Sequence, residues 1–414
     1  MRVALLTRSA HPLHPPGGME RAVYHLAKHL RALGVEPVLF TRPATLEGEF
    51  PGEVVTVRYA SYRAGAHGRV LDRSLNYPGF VQRVGHAVAE SVRAGRIHVV
   101  DAQGLAALGY GRLRRGDPSL IAPLLMNPQG MEEHKATGLK RAALARLRAL
   151  SREAASLADR VVATDEVTRE EVPRLLGVDA ARVVVLPNGI DPEEIAALTP
   201  ADPPRVVAES LPGVRTASPL FLSVGRLEAY KGFGDVLRAF VRLHEAGGLP
   251  ASWAWVVVGE GPERERLAQG LMVREALLPS REGESLASHV HLAGRASEAL
   301  LHALYARADV FVHGTRYEGS SLVTLEAMAH SLPVCATRAG GIPDKVLDGE
   351  SGYLVEPGDA EGLSRRLREL AEDPERRVAM GRAGRARALA LFGWPSLARR
   401  TLALYERLLV ERRP

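Results

Sequence analysis

The sequence predicts an α/β protein of two domains, each built on a doubly wound parallel sheet. Three observations carry this. The chain has 414 residues, more than one ordinary hydrophobic core organises, so two domains are expected. Its start reads strand, glycine loop, helix, strand: Val3-Ala4-Leu5-Leu6, then Gly17-Gly18, then Val23, Leu26, Ala27, Leu30 and Leu33, then Val38-Leu39-Phe40. The three- and four-residue spacings mark a helix that Gly34 closes. A second buried strand running into a glycine loop opens at Leu220 to Val224, before Gly225. In such sheets ligands bind at the loops on the strands' C-terminal ends, and paired glycines let the backbone approach a phosphate or sugar.

At 46% hydrophobic and 25% charged residues, the composition is that of an ordinary globular protein, which excludes a disordered or fibrous class. Positive charge is uneven: residues 1–150 hold 21 Lys and Arg against 11 Asp and Glu, whereas residues 151–414 hold 33 against 37. A basic first domain suits phosphate groups, an acidic acceptor or an anionic membrane face. No Lys/Arg run interleaved with aromatics occurs, so nucleic acid is not an expected partner. The single Cys335 lies in an apolar stretch and excludes an intramolecular disulfide. From Arg2 to Thr7 the apolar run is four residues long, too short for a signal peptide or a membrane span. The expected location is the cytoplasm, with peripheral contact at the inner face of the cell membrane through the basic domain as a further expectation.

Further strands are expected at Ile97 to Asp101, Ala122 to Met126, Val161 to Thr164 and Val183 to Leu186, with a basic helix from Leu139 to Ala158. The third strand of the chain's first half runs into Asn127-Pro128-Gln129-Gly130-Met131-Glu132-Glu133-His134. Pro187-Asn188-Gly189-Ile190-Asp191 is a turn by composition, and the proline-rich residues 192–218 read as an interdomain linker. Beyond Gly225, Arg226 and Lys231 place two cations at a strand's C-terminal edge, a fork and a point charge suited to phosphate oxygens. Trp255 to Val258, Val290 to Arg295 and Ala308 to His313 are the next strands, with a charged helix over 263–288. Trp394 to Leu409 is a final amphipathic helix.

The most informative stretch is Tyr317 to Val334. Glu318 stands before Gly319-Ser320-Ser321, and Leu322, Leu325, Met328 and Ala329 give the following helix a buried stripe until Pro333. Ser320 or Ser321 is the expected N-cap, its hydroxyl accepting an orphan helix N–H. A helix start beside a loop is an anion site, and Glu326 lies along the helix, eight residues after Glu318.

This stretch resembles the signature of the retaining glycosyltransferases of family 4, the glycosyl transferases group 1. Other landmarks follow in family order: Gly17-Gly18, the turn 187–191, the Arg226/Lys231 pair, 290–295, Gly340-Gly341 and Gly352 to Val355. The resemblance spans essentially the whole chain and implies the GT-B fold, two Rossmann-like doubly wound parallel-sheet domains facing a central cleft. It divides the chain into an acceptor-side domain at 1–191, a linker at 192–218, a nucleotide-sugar domain at 219–392 and a helix at 393–414 returning to the first domain. It implies that Glu318 faces the donor sugar, Glu326 takes the ribose hydroxyls, and Arg226 with Lys231 grips the diphosphate. It implies sugar hydroxyls held by backbone N–H groups of Gly319, Ser320, Ser321 and Leu322, and a base cradled by the strand ending at Arg295. Gly18 is placed near the donor phosphates, and Gly17 is a candidate, with Gln129 and His134, for lining the sugar or the acceptor. One position departs from the pattern: Gln129 stands where the family carries a histidine near the reacting sugar carbon, so an amide replaces a titratable ring. His134 is expected at the surface or lining the acceptor, with a fold-back into the place of that histidine as the alternative.

The expected reaction is a retaining, metal-independent transfer of a sugar from a nucleoside-diphosphate-sugar donor to an acceptor hydroxyl of a glycan, glycolipid or small molecule. No cofactor is expected, and no Asp-x-Asp motif sits at a strand end. Arg226, Lys231 and the helix N-terminus would answer the charge growing on the leaving diphosphate, while Glu318 positions the sugar and supports an oxocarbenium-like state. Two alternatives stand beside this reading. A nucleotide-sugar epimerase of the same fold would need acid/base groups that Gln129 removes. A catalytically impaired nucleotide-sugar-binding subunit has Gln129 as its only support.

Overall fold

The computed structural model describes residues 1–15, 17–59, 76–129, 131, 134, 138–277 and 285–412. Residues 278–284 of the expected 263–288 helix, and Gly130, Glu132 and Glu133 of the strand-end loop, lie outside these. The chain forms two compact units: Met1–Asn188 with Trp394–Pro414, and Gly189–Gly393.

In the first unit, β1 (Arg2–Leu6), β2 (Glu36–Thr41), β3 (Glu53–Thr56), β4 (Val99–Gln103), β5 (Leu124–Asn127), β6 (Arg160–Ala163) and β7 (Val183–Val185) form one sheet. The order is β3-β2-β1-β4-β5-β6-β7, and every pairing is parallel. Both faces are covered, so the strands read as apolar runs rather than alternating ones. Alternation survives in where the side chains go: Val3 and Leu5 pack into one core, Ala4 and Leu6 into another on the opposite face. β3 had no expected counterpart, because a largely exposed edge strand carries little apolar pattern.

Between the strands of this unit the described residues form helices α1 (Gly18–Ala32), α2 (Tyr77–Arg93), α3 (Ala107–Gly116), α4 (Gly138–Ala143), α5 (Ala145–Leu157) and α6 (Glu166–Leu176). Helix α1 buries Ala22, Val23, Leu26, Ala27 and Leu30 against the sheet. It ends as its glycine demands: Gly34, at φ 79°, donates to Arg31 O and Val35 donates to Leu30 O, satisfying two terminal carbonyls.

The second unit opens with α7 (Pro192–Leu198) and α8 (Pro203–Ser210), which corrects the expected linker over 192–218. Its prolines start helices rather than prevent them. Pro192 and Pro203 occupy first-turn positions, where no N–H is needed, behind Asp191 and Asp202, whose carboxylates accept from Glu193 N at 3.0 Å and Arg205 N at 3.1 Å. Val207 and Val214 then join the unit's core. The compact units change over at Asn188/Gly189 and Gly393/Trp394 rather than at the expected 191 and 392.

The second sheet holds β8 (Leu220–Val224), β9 (Ala254–Val258), β10 (Val290–Gly294), β11 (Val310–His313), β12 (Val334–Thr337) and β13 (Gly352–Val355), in the order β10-β9-β8-β11-β12-β13. Its helices include α9 (Phe233–Glu245), α10 (Glu263–Leu277), α11 (Leu286–His289), α12 (Glu298–Arg307), α13 (Leu322–Ala329), α14 (Ile342–Lys345), α15 (Ala360–Glu372) and α16 (Pro374–Phe392). Helix α17 (Trp394–Glu411) belongs to the first unit, where Trp394, Leu397, Leu404, Tyr405 and Leu408 share a core with α1 and β1.

In both sheets the strand order reverses once, between β1 and β4 and between β8 and β11. Loops leaving such a pair at their C-terminal ends diverge and open a crevice, the general ligand position of this architecture. No helix among the described residues is long and apolar enough to cross a membrane.

Candidate active site

The switch point of the second unit is built from the β8 loop, 225–232, and the β11 loop, 314–321. Gly232 begins α9 in a left-handed conformation, φ 68°, and a Cβ there would stand 1.9 Å from Gly314 O. Only glycine allows the two loops to touch in this way. They are then laced together: Arg316 N donates to Tyr230 O at 2.7 Å and Thr315 Oγ1 to the same oxygen at 3.2 Å. The Arg316 guanidinium bonds both oxygens of Asp235 at 3.0 and 3.1 Å.

This lacing sets Lys231 against Glu318. Lys231 Nζ donates to Glu318 Oε2 at 2.6 Å, and both side chains are nearly buried, at 14% and 11% exposed. His313, the last residue of β11, places Nε2 at 2.8 Å from the same oxygen. Gly319 N–H donates to Oε1 at 3.2 Å. Burial alone would raise the Glu318 carboxyl; the hydrogen bond and charge of His313 and the Lys231 ammonium outweigh it and hold the group down at about 2. Glu318 is therefore a fixed negative charge at neutral pH, with two donors on Oε2 and one on Oε1. It can stabilise a positive centre; it cannot donate a proton.

Arg226 does not join this pair. Its side chain is 74% exposed, with Nη2 donating to the Tyr230 hydroxyl at 2.8 Å. Tyr230 stands between the two cations, since Lys231 Nζ lies 5.5 Å from its ring centroid. Arg295 is exposed at the end of β10, which β9 separates from β8. That puts it roughly 10 Å from the β8 edge by strand spacing alone.

Helix α13 begins at Ser321, but the hydroxyl does not cap it. Ser321 is left-handed, φ 39° and ψ 65°, not extended as side-chain capping requires, and its Oγ pairs with Thr324 Oγ1 at 2.7 Å. The first N–H groups of an α-helix have no intrahelical acceptor, so this end is left without a side-chain cap. Ser320 Oγ is buried and has no hydrogen-bond partner among the described residues. Leu322 is half-buried at the first helical position, while the Cβ direction of Gly319 opens onto free space. Glu326, further along the helix, accepts from the Tyr305 hydroxyl of α12 at 3.0 Å. The loop is buttressed from behind: Gly340, at φ 51°, packs so that a Cβ would stand 1.8 Å from Glu318 O.

In the first unit, Gly17 precedes α1 with extended backbone, and Glu20 in the first turn accepts from Ser9 Oγ at 2.7 Å. Gly18 is the first helical residue. Gln129 lies at the end of the β5 loop with φ 56°, and Met131 follows at φ 49°. Left-handed backbone is uncommon for both residue types and clusters at functional sites. Gln129 N donates to Asn127 Oδ1 at 3.1 Å and Nε2 to Gln103 Oε1 at 2.7 Å. His134 is half-buried, with its backbone N–H on Met131 O at 3.0 Å. A pocket of about 40 Å³ beside Gln129 is lined by Asp101, Gln103, Asn127, Trp394 and Thr401 among others.

Sequence reasoning missed His313, Tyr230 and Tyr305. His313 had one signal, its place at a strand's C-terminal end five residues before Glu318. Tyr305 had none, since its partner Glu326 lies on another helix, and Tyr230 had only its place between Arg226 and Lys231 in the same loop.

Residues 212–387 match the family described as Glycosyl transferases group 1, and residues 16–194 match Glycosyltransferase Family 4. The chain is 32% identical to a D-inositol 3-phosphate glycosyltransferase of Kineococcus radiotolerans, over 99% of this chain and 96% of that one. Among solved structures it is similar to sucrose-phosphate synthase from Thermosynechococcus elongatus, with a TM-score of 0.71, 23% identity and 99% of each chain covered. It is also similar to HepE of Anabaena in complex with UDP, with a TM-score of 0.70, 18% identity, and 98% of this chain and 100% of that one covered.

Proposed function

Because the chain belongs to family 4 of the glycosyltransferases and has their GT-B fold, we propose that it transfers a sugar from a nucleoside-diphosphate sugar to an acceptor hydroxyl with retention and without a metal. The observation that carries this is the Lys231–Glu318–His313 cluster at the switch point, beside a helix start without a side-chain cap. A diphosphate arriving there offers Lys231 a second anion and receives helix N–H groups, and the exposed Arg226 can exchange its bond to the Tyr230 hydroxyl for a phosphate oxygen. Glu326 takes the ribose hydroxyls, and Ser320 Oγ is a donor for the sugar.

In the reaction the bond from the anomeric carbon to the diphosphate oxygen breaks, and Lys231 answers the charge left on that oxygen. The fixed Glu318 carboxylate stabilises the electron-poor sugar. The acceptor oxygen bonds the anomeric carbon on the face the diphosphate leaves, and its proton passes to the departing phosphate. Configuration is thereby kept. UDP in the similar HepE complex makes UDP the first nucleotide to try. The basic first domain and the inositol-phosphate relative make a phosphorylated polyol the first acceptor.

The test is thermal unfolding with UDP, GDP and ADP, with and without EDTA, followed by transfer from the matching sugar. At a hundred times its dissociation constant a nucleotide adds about 2.7 kcal/mol. One nucleotide should shift the transition equally in EDTA, and the product should keep the donor's anomeric configuration by NMR. An inverted product, or a shift abolished by EDTA, would refute the mechanism. Conversion of the donor with no acceptor present would favour an epimerase.

A further inference from the structure

Four polar side chains of the first unit, three buried and Gln129 half-buried, form a chain from α17 to the β5 loop. The Tyr405 hydroxyl donates to Asp101 Oδ2 at 2.6 Å, and Gln103 Nε2 makes a longer bond to Asp101 Oδ1 at 3.4 Å. Gln129 Nε2 then donates to Gln103 Oε1 at 2.7 Å. Asp101 is 3% exposed, and all but Tyr405 line the pocket beside Gln129.

The direction of this chain is dictated by Asp101. An ionised carboxylate only accepts, so Gln103 must turn its NH2 to Asp101 and its oxygen outward. Gln129 must then turn its own NH2 to that oxygen. What remains is Gln129 Oε1, which accepts no hydrogen bond among the described residues. A protonated Asp101 carries an O–H donor, so Gln103 can reverse, and Gln129 reverses with it and presents NH2 instead. The carboxyl's surroundings make this sensitive. Its register neighbours are Leu5 of β1 and Leu125 of β5. Helix α1 brings Ala22, Val23 and Leu26 to the pocket; it also carries buried His25, stacked on Trp394, and buried His29. Helix α17 supplies Thr401 and Tyr405.

Resting on the glycosyltransferase reading above, we propose that Asp101 and Tyr405 are positioning residues that fix the sense of the Gln129 carboxamide, so that it presents an accepting oxygen to a substrate hydroxyl. Burial raises the Asp101 carboxyl to about 6 against the opposing Tyr405 hydrogen bond, which brings the reversal into an accessible pH range.

The experiment follows the side-chain amide signals of Gln103 and Gln129 by NMR as pH is varied, assigned by their loss in Gln103→Ala and Gln129→Ala. Both should titrate together with one midpoint in the wild-type chain, and neither should do so in Asp101→Asn. In Tyr405→Phe the midpoint should move up, because a hydrogen bond favouring the ionised form is gone. Transfer by Asp101→Asn should lose about tenfold in kcat/KM, the worth of one misdirected hydrogen bond, with nucleotide affinity unchanged. Amide signals that do not titrate, or that titrate equally in Asp101→Asn, overturn the proposal. A wild-type chain that transfers no sugar overturns the glycosyltransferase reading instead, and leaves the amide titration readable.

Discussion

Glu318 is held by donors from three places: Lys231 on the β8 loop, His313 at the end of β11 and the N–H of Gly319. Glu318→Gln keeps the shape and removes the charge, so transfer should fall about a hundredfold or more, on the scale of losing one aligned electrostatic group, while nucleotide binding persists. Undiminished transfer would remove Glu318 from the mechanism. The same carboxyl makes a stability prediction. Its folded value, about 2, lies below the ordinary 4.5, so its stabilisation is full above about 4.5 and is lost as pH falls toward 2. The wild-type advantage over Glu318→Gln in denaturant unfolding should shrink across that window by roughly 2–3 kcal/mol. Asp101 works in the opposite sense. Raised from 3.8 to about 6, it stabilises most below 3.8 and loses that contribution as pH rises through 6. Asp101→Asn should therefore gain on the wild-type chain as pH rises from 4 to 7, by order of 1–3 kcal/mol. Glu318 was legible in the sequence as a carboxylate at a strand-end loop. The charge that holds it was not, because Lys231 is 87 residues away.

At the scale of elements, the site depends on places where backbone meets backbone. Gly340 is left-handed and a Cβ would stand 1.8 Å from Glu318 O. Gly340→Ala must push that carbonyl aside, so it should cost roughly 1–3 kcal/mol in stability and weaken transfer through a displaced Glu318. A melting temperature and a rate both unchanged would show that the turn does not support the loop. Gly340-Gly341 was visible as a strand-to-helix turn, but its role was not, since nothing local says what the turn touches. Proline misled in 192–218 for a related reason. It prevents a helix interior and favours a helix start, and composition alone does not distinguish them; Asp191 and Asp202, each just before a proline or a proline pair, were the signal. The hydroxyl cap expected at Ser321 failed because a left-handed backbone turns that side chain toward Thr324.

At the scale of the molecule, the first unit is completed by the chain's last helix. Trp394, Leu397, Leu404, Tyr405 and Leu408 are buried in a core with Val3, Leu5, Leu26 and Leu30. Each large side chain buried is worth about 1.5–3 kcal/mol, so a chain ending at Gly393 loses about 7–15 kcal/mol from these five alone, comparable to the roughly 5–15 kcal/mol that holds an ordinary domain. It should lose cooperative unfolding of the first unit and aggregate, while nucleotide still stabilises the second. A truncated chain with two intact transitions would refute this. What the sequence by itself determined was the class of fold, most of the strands that build both sheets but not the exposed edge strand β3, and the loops that carry glycine, cation and carboxylate. These follow from local apolar runs, from the spacing of helical stripes and from glycine beside a strand end, all of which are written within a dozen residues. Only the tertiary structure decided that Lys231 pairs with Glu318 while Arg226 stands in solvent, that Tyr305 holds Glu326, and that Asp101 governs Gln129 by way of Gln103. Apart from Asp101 and Gln103, which share β4, those contacts join residues from separate strands, helices and loops. Hydrogen bonds act over about 3 Å, and which groups come that close is settled by sheet order and packing, not by position along the chain.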